Sequence, residues 1–269
     1  MNVLSLFDGM SCGQIALDQL GIKVDNYFAS EIDKSAIKVT QSNYPDTIQV
    51  GDVTSVKGLD LPKIDLLYGG SPCQGFSFAG KQLNFKDPRS KLFFEFVRLL
   101  KETKPKYFLL ENVRMKQESQ DVISKYLGVE PVLINSRLVS AQNRVRYYWT
   151  NIPLTQPTDL NITLSDVVGQ DCIGASKRGR YISGNSGKTR QKEELRSDYK
   201  ANAMTTVAKN CMLKIVSTGE LRNLCRNEAE LLQNVPIDYT RDVSVSQSLK
   251  MLGNGWTVGV IKHIFKNLK

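Results

Sequence analysis

The chain has 269 residues, of which 41% are hydrophobic and 23% charged, as is usual for a globular protein. Lys and Arg outnumber Asp and Glu by 36 to 27, which gives a net charge of +9. This excess favours a polyanionic partner, because Lys and Arg release condensed counterions when they bind phosphates, although a solvated basic surface would also account for it. No apolar run approaches the ~20 residues that cross a bilayer, so we expect no membrane span.

The five cysteines are an odd number without a Cys-x-x-Cys pair, and no signal peptide is recognisable. We therefore expect reduced thiols in a soluble, cytoplasmic protein. The one histidine, His263, and the scattered cysteines lack the ligand spacing of a zinc site, so we predict no metal.

Residues 1–153 alternate short apolar runs with helical patterns, which predicts βαβ units around a parallel sheet. The predicted strands cover 2–7, 27–29, 64–68 and 107–110, and the predicted helices lie around 15–20, 34–44 and 92–100. Residues 131–134 and 147–149 are expected to form an antiparallel pair at the edge of the sheet.

Residues 154–220 differ from the rest of the chain in composition. They have few apolar clusters, many Ser, Gly, Asn, Lys and Arg, and no long helical stripe. Such a stretch is either a flexible insertion or a small lobe that binds a polar partner. A helical pattern returns at 228–232 and again near the end of the chain, in 258–265.

The first predicted strand ends in the turn Asp8-Gly9-Met10-Ser11-Cys12-Gly13, and many α/β proteins hold a nucleotide-like ligand over such a turn. Glu31 follows the second strand, where a carboxylate can accept both ribose hydroxyls. Asp52 follows a further short strand, between the predicted strands at 27–29 and 64–68, and is suited to an adenine amine. Together they favour an adenosine cofactor over an ordinary tight turn. No Gly-Lys-Ser/Thr follows, which disfavours a triphosphate.

Cys73 follows a predicted buried strand, between Pro72 and a loop rich in Gly, Gln and Ser. A thiolate there could attack a substrate, although a lone cysteine is usually an inert apolar residue. Glu111 ends the next strand along the same edge and could protonate a ring nitrogen, or merely cap a helix. Arg144 and Arg146 precede a further strand, where they could orient a base carbonyl and phosphates or form salt bridges.

These residues stand in seven motifs whose order resembles that of the DNA cytosine-C5 methyltransferases. The motifs are Phe7-Asp8-Gly9, Glu31, Gly51-Asp52-Val53, Ser-Pro-Cys-Gln-Gly-Phe-Ser at 71–77, Glu111-Asn112-Val113, Gln142-x-Arg144-x-Arg146 and Gly253-Asn254. The resemblance covers residues 1–153 and about 221–269. The Phe-Asp-Gly opening and Trp256 are similar to the de novo branch of the family, whereas the Cys73 loop is bacterial in style, which indicates a prokaryotic or phage enzyme.

The resemblance implies an α/β, Rossmann-like fold of the S-adenosylmethionine-dependent methyltransferases. That fold has a mixed, mostly parallel seven-stranded sheet flanked by helices, together with a small target-recognition lobe. The implied domains are a catalytic and cofactor-binding domain at 1–153, a target-recognition region at 154–220, and a C-terminal segment, 221–269, that returns to the catalytic domain.

The activity implied is methyl transfer from S-adenosylmethionine to carbon 5 of a cytosine flipped out of double-stranded DNA, with S-adenosylhomocysteine as the product. Cys73 would attack carbon 6, Glu111 would engage ring nitrogen 3, and Arg146 would contact the base carbonyl beside Arg144. The residues expected at the cofactor are Phe7, Asp8, Gly9, Met10, Glu31, Ile32, Asp52, Val53, Gly70, Pro72, Leu92, Asn254 and Trp256. Those expected at DNA are Gln74, Ser77, Lys81 and Arg89.

Three alternatives account for less of the sequence. A tRNA cytosine-5 methyltransferase of the same fold would carry a Cys-Phe-Thr stretch in the recognition lobe, which this sequence lacks. A catalytically inactive, DNA-binding regulatory homologue would be expected to have lost Cys73, Glu111 or Arg146. A dehydrogenase would explain Gly9 and Glu31 but would leave Cys73 and Glu111 unexplained.

Overall fold

The computed structural model describes residues 1–72, 91–169, 171–181 and 189–269. These residues form two compact units. Unit 1 comprises residues 1–134, 145–156 and 260–269, and unit 2 comprises residues 135–144 and 157–259.

The first part of the chain contains eight strands within the described residues. They are β1 (Asn2–Leu6), β2 (Asn26–Ser30), β3 (Ile48–Gln49), β4 (Leu66–Gly69), β5 (Tyr107–Val113), β6 (Val132–Asn135), β7 (Gln142–Asn143) and β8 (Val145–Thr150). All but β7 form one sheet, in the order β3-β2-β1-β4-β5-β8-β6. The pairs from β3 to β5 are parallel, whereas β8 runs antiparallel to β5. The predicted mixed, mostly parallel seven-stranded sheet is confirmed.

The central strands are apolar on both faces because helices cover both sides of a parallel sheet. Within unit 1 the described α-helices are α1 (Cys12–Gln19), α2 (Lys34–Asn43), α3 (Lys91–Thr103) and α4 (Gln117–Leu127), together with residues 260–265 of the last helix, α8 (Val258–Phe265). Phe93 and Phe96 of α3 and Trp149 of β8 are fully buried in the core of this unit. The sheet is thereby a rigid support for the residues at the ends of its strands.

Two strand boundaries differ from the prediction in ways that matter for the site. β1 ends at Leu6, because Phe7 has a left-handed backbone with φ of 55°. β5 continues three residues beyond the predicted end at Leu110, so that Glu111 lies within the strand. The predicted neighbours at the sheet edge are confirmed as β6 and β8, with β8 also paired to β5.

Unit 2 contains the remaining described elements. They are α5 (Leu164–Val168), β9 (Cys172–Tyr181), β10 (Thr189–Leu195), β11 (Ala201–Asn202), β12 (Met212–Ile215), β13 (Leu221–Asn223), α6 (Arg226–Leu232), α7 (Val245–Asn254) and the start of α8 (Val258–Phe265). Four strands form a sheet in the order β10-β9-β12-β13, and β11 pairs in parallel with β7. The described part of 154–220 therefore contributes to a folded sheet that its composition does not indicate.

Charged cross-strand pairs explain why this sheet gives a weak apolar signal. Lys177 of β9 stands opposite Glu193 of β10, and Glu193 also forms a 2.7 Å ion pair with Lys214 of β12. Such pairs stabilise neighbouring strands without apolar side chains on that face.

The described part of the chain contains no helix long and apolar enough to cross a bilayer. It also holds no cluster of three or more His, Cys, Asp or Glu side chains that could bind a metal.

Candidate active site

The turn after β1 has an unusual backbone. Phe7, Gly9 and Ser11 all have left-handed conformations, with φ of 55°, 61° and 60°. Gly9 adopts this conformation without steric cost, whereas Phe7 and Ser11 do so only where their surroundings enforce it. A turn of this shape exposes backbone at the carboxyl end of the sheet, where ligands bind in open α/β folds.

Glu31 joins the ends of β1 and β2. One carboxylate oxygen accepts a 2.8 Å hydrogen bond from the Gly9 amide, and the other accepts bonds of 2.7 and 2.8 Å from the amides of Ile32 and Asp33. Three amide donors fix this carboxylate beside the turn that follows β1.

Two further predicted cofactor residues are open to solvent. Ile32 is 71% exposed, which is high for so large an apolar side chain, and Asp52 is also exposed. The backbone amide and hydroxyl of Thr54 donate to Asp52, and these hydrogen bonds lower the pKa of its carboxyl. Asp52 is therefore an ionised acceptor at neutral pH.

Asp8 lies in an internal hydrogen-bond network. Its carboxyl accepts bonds from the hydroxyls of Ser5 (2.5 Å), Tyr27 (2.7 Å) and Ser11, and the Tyr27 hydroxyl lies 2.6 Å from that of Tyr68. Burial raises the pKa of Asp8 from 3.8 to about 6, although the three hydroxyl donors act to lower it. The Asp8 side chain thus supports the turn from inside.

The other predicted cofactor residues of unit 1 differ in exposure. Met10 and Val53 are 1% and 5% exposed, so that a ligand would meet their backbone rather than their side chains. Four more are partly exposed around the ends of β1, β4 and the start of α3: Phe7, Gly70, Pro72 and Leu92.

Glu111 and Arg146 form an ion pair. Arg146 Nε lies 2.9 Å from Glu111 Oε1, and the two side chains are 16% and 10% exposed. In the antiparallel register Arg146 stands opposite Val113, so it is the diagonal neighbour of Glu111 on one face of the β5–β8 pair. The alternation of strand side chains therefore brings an acid and a cation together at the carboxyl end of β5.

Asn112 points to the opposite face and binds the segment after β4. Its amide nitrogen lies 3.4 Å from the carbonyl oxygen of Ser71 and 3.3 Å from its hydroxyl. No role is predicted for Asn112 from sequence, although it belongs to the Glu-Asn-Val motif. The contact anchors the residue directly before Pro72, where the candidate nucleophile segment begins.

Cys73 and the predicted DNA residues Gln74, Ser77, Lys81 and Arg89 lie outside the described residues.

The predicted site residues of unit 2 are Arg144, Asn254 and Trp256. Arg144 is 3% exposed, and its guanidinium donates to the carbonyls of Met204, Gly253 and Gly255 at 3.0, 3.2 and 2.9 Å. Asn254 is exposed and Trp256 partly buried. The two arginines of the Gln-x-Arg-x-Arg motif therefore have separate partners.

Comparison with known proteins gives a family for the whole chain. The profile of a family described as C-5 cytosine-specific DNA methylase matches residues 1–151 and 147–269. The type II methyltransferase M.NgoBV of Neisseria gonorrhoeae is 45% identical over 114 residues, which make up 41% of this chain and 27% of that protein. The orphan methyltransferase M.SPRI of Bacillus phage SPR is 37% identical over 161 residues, or 55% of this chain and 37% of that protein.

These matches cover only about a third of each relative. Their bacterial and phage sources agree with the prokaryotic or phage origin predicted from sequence.

Solved structures show the same fold over the full length. A mutant of DNMT2 from Spodoptera frugiperda matches with a TM-score of 0.72 at 18% identity, covering 99% of both chains. The methyltransferase EhMeth of Entamoeba histolytica also has a TM-score of 0.72, at 17% identity, covering 100% of this chain and 99% of that chain. The predicted methyltransferase fold is confirmed.

Proposed function

Because the chain belongs to the family of C-5 cytosine-specific DNA methylases, we propose that it transfers a methyl group from S-adenosylmethionine to carbon 5 of cytosine in double-stranded DNA. The observation that carries this proposal is the ion pair of Glu111 and Arg146 at the carboxyl end of β5. The pair offers an acid and a cation on one face, and a cytosine needs both when it is activated.

Carbon 5 of cytosine is a poor nucleophile until the aromatic ring is broken. Addition of the Cys73 thiolate to carbon 6 would place electron density on carbon 5, which could then bond to the methyl carbon. Loss of the carbon 5 proton to a base and departure of the Cys73 sulfur from carbon 6 would restore the ring. Covalent attachment divides one difficult step into easier ones. The role of Cys73 rests on its motif.

Glu111 would protonate or hydrogen-bond ring nitrogen 3 and so make carbon 6 more electrophilic. Arg146 would bind the adjacent carbonyl oxygen and balance the charge that develops there. The ion pair, with 2.9 Å between Arg146 Nε and Glu111 Oε1, orients both side chains before a base arrives, since each holds the other in place. Neither role needs a rearrangement of the strands.

The residues around the first turn fit an adenosine cofactor. Bound S-adenosylmethionine would supply the methyl group as an electrophilic carbon. Glu31 would accept hydrogen bonds from the ribose hydroxyls, and Asp52 would accept one from the adenine amine. The exposed side chain of Ile32 would pack on the adenine ring. Gly9 lets the backbone approach closely. Asn254 and Trp256 are assigned to the cofactor by their motif.

Double-stranded DNA is the proposed partner, and the net charge of +9 supports it. The target base would be flipped out of the duplex, because its reacting carbons are inaccessible within the stack. We assign catalysis and cofactor binding to residues 1–153, with 221–269 returning to that domain, and target recognition to 154–220. Direct DNA contacts are assigned to Gln74, Ser77, Lys81 and Arg89.

The test is transfer of a radiolabelled methyl group from S-adenosylmethionine to mixed-sequence duplex DNA, with tRNA as a parallel substrate. The wild type is compared with Cys73→Ala, Glu111→Gln and the control Glu118→Gln, whose side chain is exposed on α4. Label on DNA with the wild type and Glu118→Gln, and none with Cys73→Ala, is the expected result. Label on tRNA alone would refute the DNA substrate, and DNA binding without transfer would favour an inactive regulatory protein.

A further inference from the structure

A cluster of buried polar side chains lies inside unit 2. Ser136, Gln142, Arg144, Gln233 and Thr257 are each at most 3% exposed. A polar side chain is costly to bury unless its hydrogen bonds are made, so the partners of these groups specify a single local arrangement. Among them, Arg144 and Gln233 both bind carbonyls at the end of α7.

The C-terminus of α7 is capped by side chains from elsewhere in the unit. A helix leaves its last carbonyls without partners inside the helix. Arg144 donates from one nitrogen to the Gly253 carbonyl and from another to the Gly255 carbonyl. Gln233 donates to the carbonyls of Leu252 (2.7 Å) and Gly255 (3.3 Å). A cation at this end of a helix is also favoured by the helix dipole.

The rest of the cluster holds Gln233 in place. The Thr257 hydroxyl donates to Gln233 Oε1 at 2.7 Å, and the Ser136 hydroxyl donates to Thr257 at 2.9 Å. On another side a Cβ at Gly253 would lie 2.7 Å from the backbone of Thr205, so only glycine fits there. The backbone of 253–257 is thus fixed by several independent contacts.

We propose that Arg144 is a positioning residue that fixes the backbone of Gly253–Gly255 and so presents Asn254 and Trp256 to the cofactor, without contacting the target base. The inference rests on the proposed function, which gives Asn254 and Trp256 to the cofactor. A planar guanidinium can bind two carbonyls at once, whereas the compact ammonium of lysine cannot reproduce that geometry. Charge alone would therefore not replace Arg144.

The test compares Arg144→Lys with Arg226→Lys. Arg226 also binds a backbone carbonyl of unit 2, that of Val243 at 2.7 Å, but at the opposite end of α7. The dissociation constant of S-adenosylhomocysteine is measured by calorimetry, together with KM for S-adenosylmethionine and kcat on DNA. Arg144→Lys should raise the dissociation constant and KM by roughly 10-fold or more, the effect of one or two lost charge-assisted hydrogen bonds. Its kcat at saturating cofactor should stay within about threefold, and Arg226→Lys should change neither constant.

A second readout does not depend on the cofactor. The two tryptophans are Trp149, which is 0% exposed, and Trp256, so that acrylamide quenching of fluorescence reports mainly on Trp256. Arg144→Lys should increase quenching, and Thr257→Val should increase it less, which keeps the idea testable if Arg144→Lys does not fold.

Three results would overturn the proposal. A large loss of kcat with unchanged cofactor affinity would place Arg144 at the base. Equal effects of Arg144→Lys and Arg226→Lys would show a role in stability alone. A wild type that binds no S-adenosylhomocysteine would remove the premise, and that failure belongs to the proposed function because it appears without any substitution.

Discussion

Asp8 should make the stability of the protein depend on pH in a way that one substitution removes. Burial raises the pKa of this carboxyl from 3.8 to about 6. A group whose pKa is raised in the folded state contributes stability that is fully present below the unfolded pKa and is lost as pH rises through the folded pKa. For Asp8 the contribution is thus present below about pH 4 and is lost by about pH 7.

The size of the effect follows from the shift of the pKa. A change from 3.8 to about 6 corresponds to about 3 kcal/mol of unfolding free energy between the two pH limits. About 2 kcal/mol of this should be lost between pH 4.5 and pH 7.5, where the difference in proton binding between the two states is largest. Asp8→Asn cannot titrate, so it should lack this loss.

The assay is urea unfolding of the wild type and Asp8→Asn at both pH values. All other groups titrate in both proteins. The change with pH in the difference between their unfolding free energies therefore isolates the contribution of Asp8. Tyr27→Phe provides a matched variant of opposite sign. It removes a 2.7 Å donor that lowers the pKa of Asp8, and it should increase the pH-dependent loss. A stability difference between wild type and Asp8→Asn that stays the same at both pH values would refute the reasoning.

Three further predictions concern other side chains. Glu111→Gln should lower kcat by about 100-fold or more with little change in cofactor affinity, because the proposed mechanism uses Glu111 as a general acid and not as a cofactor contact; single-turnover methyl transfer checks this. Cys225 is exposed whereas burial raises the pKa of Cys211 to about 12, so a maleimide under native conditions should label Cys225 and spare Cys211, as read by peptide mass spectrometry. Glu230→Ala should reduce the unfolding free energy by about 3 kcal/mol or more in urea, because the fully buried carboxylate accepts three hydrogen bonds, from the amides of Asp238 and Thr240 and from the Thr240 hydroxyl.

The sheet and the residues at its edge could be predicted because their signals are local. Apolar runs define β1, β2, β4 and β5, and Glu31 and Glu111 are found from their positions relative to β2 and β5. What could not be predicted is the exact strand end. Phe7 leaves the β conformation because the turn requires it, whereas Asn112 stays in β5 and binds Ser71, which is 41 residues earlier in the chain.

The difference between the two arginines of the motif also depends on distant partners. Arg146 meets Glu111 through the register of two strands, which a sequence pattern can suggest. Arg144 binds Met204 and Gly253, which are 60 and 109 residues away. Nothing in the spacing of Arg144 and Arg146 distinguishes a residue of the reaction site from one that caps a helix. Contacts with the backbone carbonyls of distant residues produce no recognisable pattern in the sequence.

The chemical position of the transferred methyl group tests the central proposal most directly. Duplex DNA is incubated with the wild-type protein and S-adenosylmethionine, digested to nucleosides, and separated by chromatography with mass detection. The account predicts 5-methylcytosine with the wild type and none with Cys73→Ala. Methyl groups on the exocyclic nitrogen of cytosine or adenine, or 5-methylcytosine formed equally well by Cys73→Ala, would contradict it.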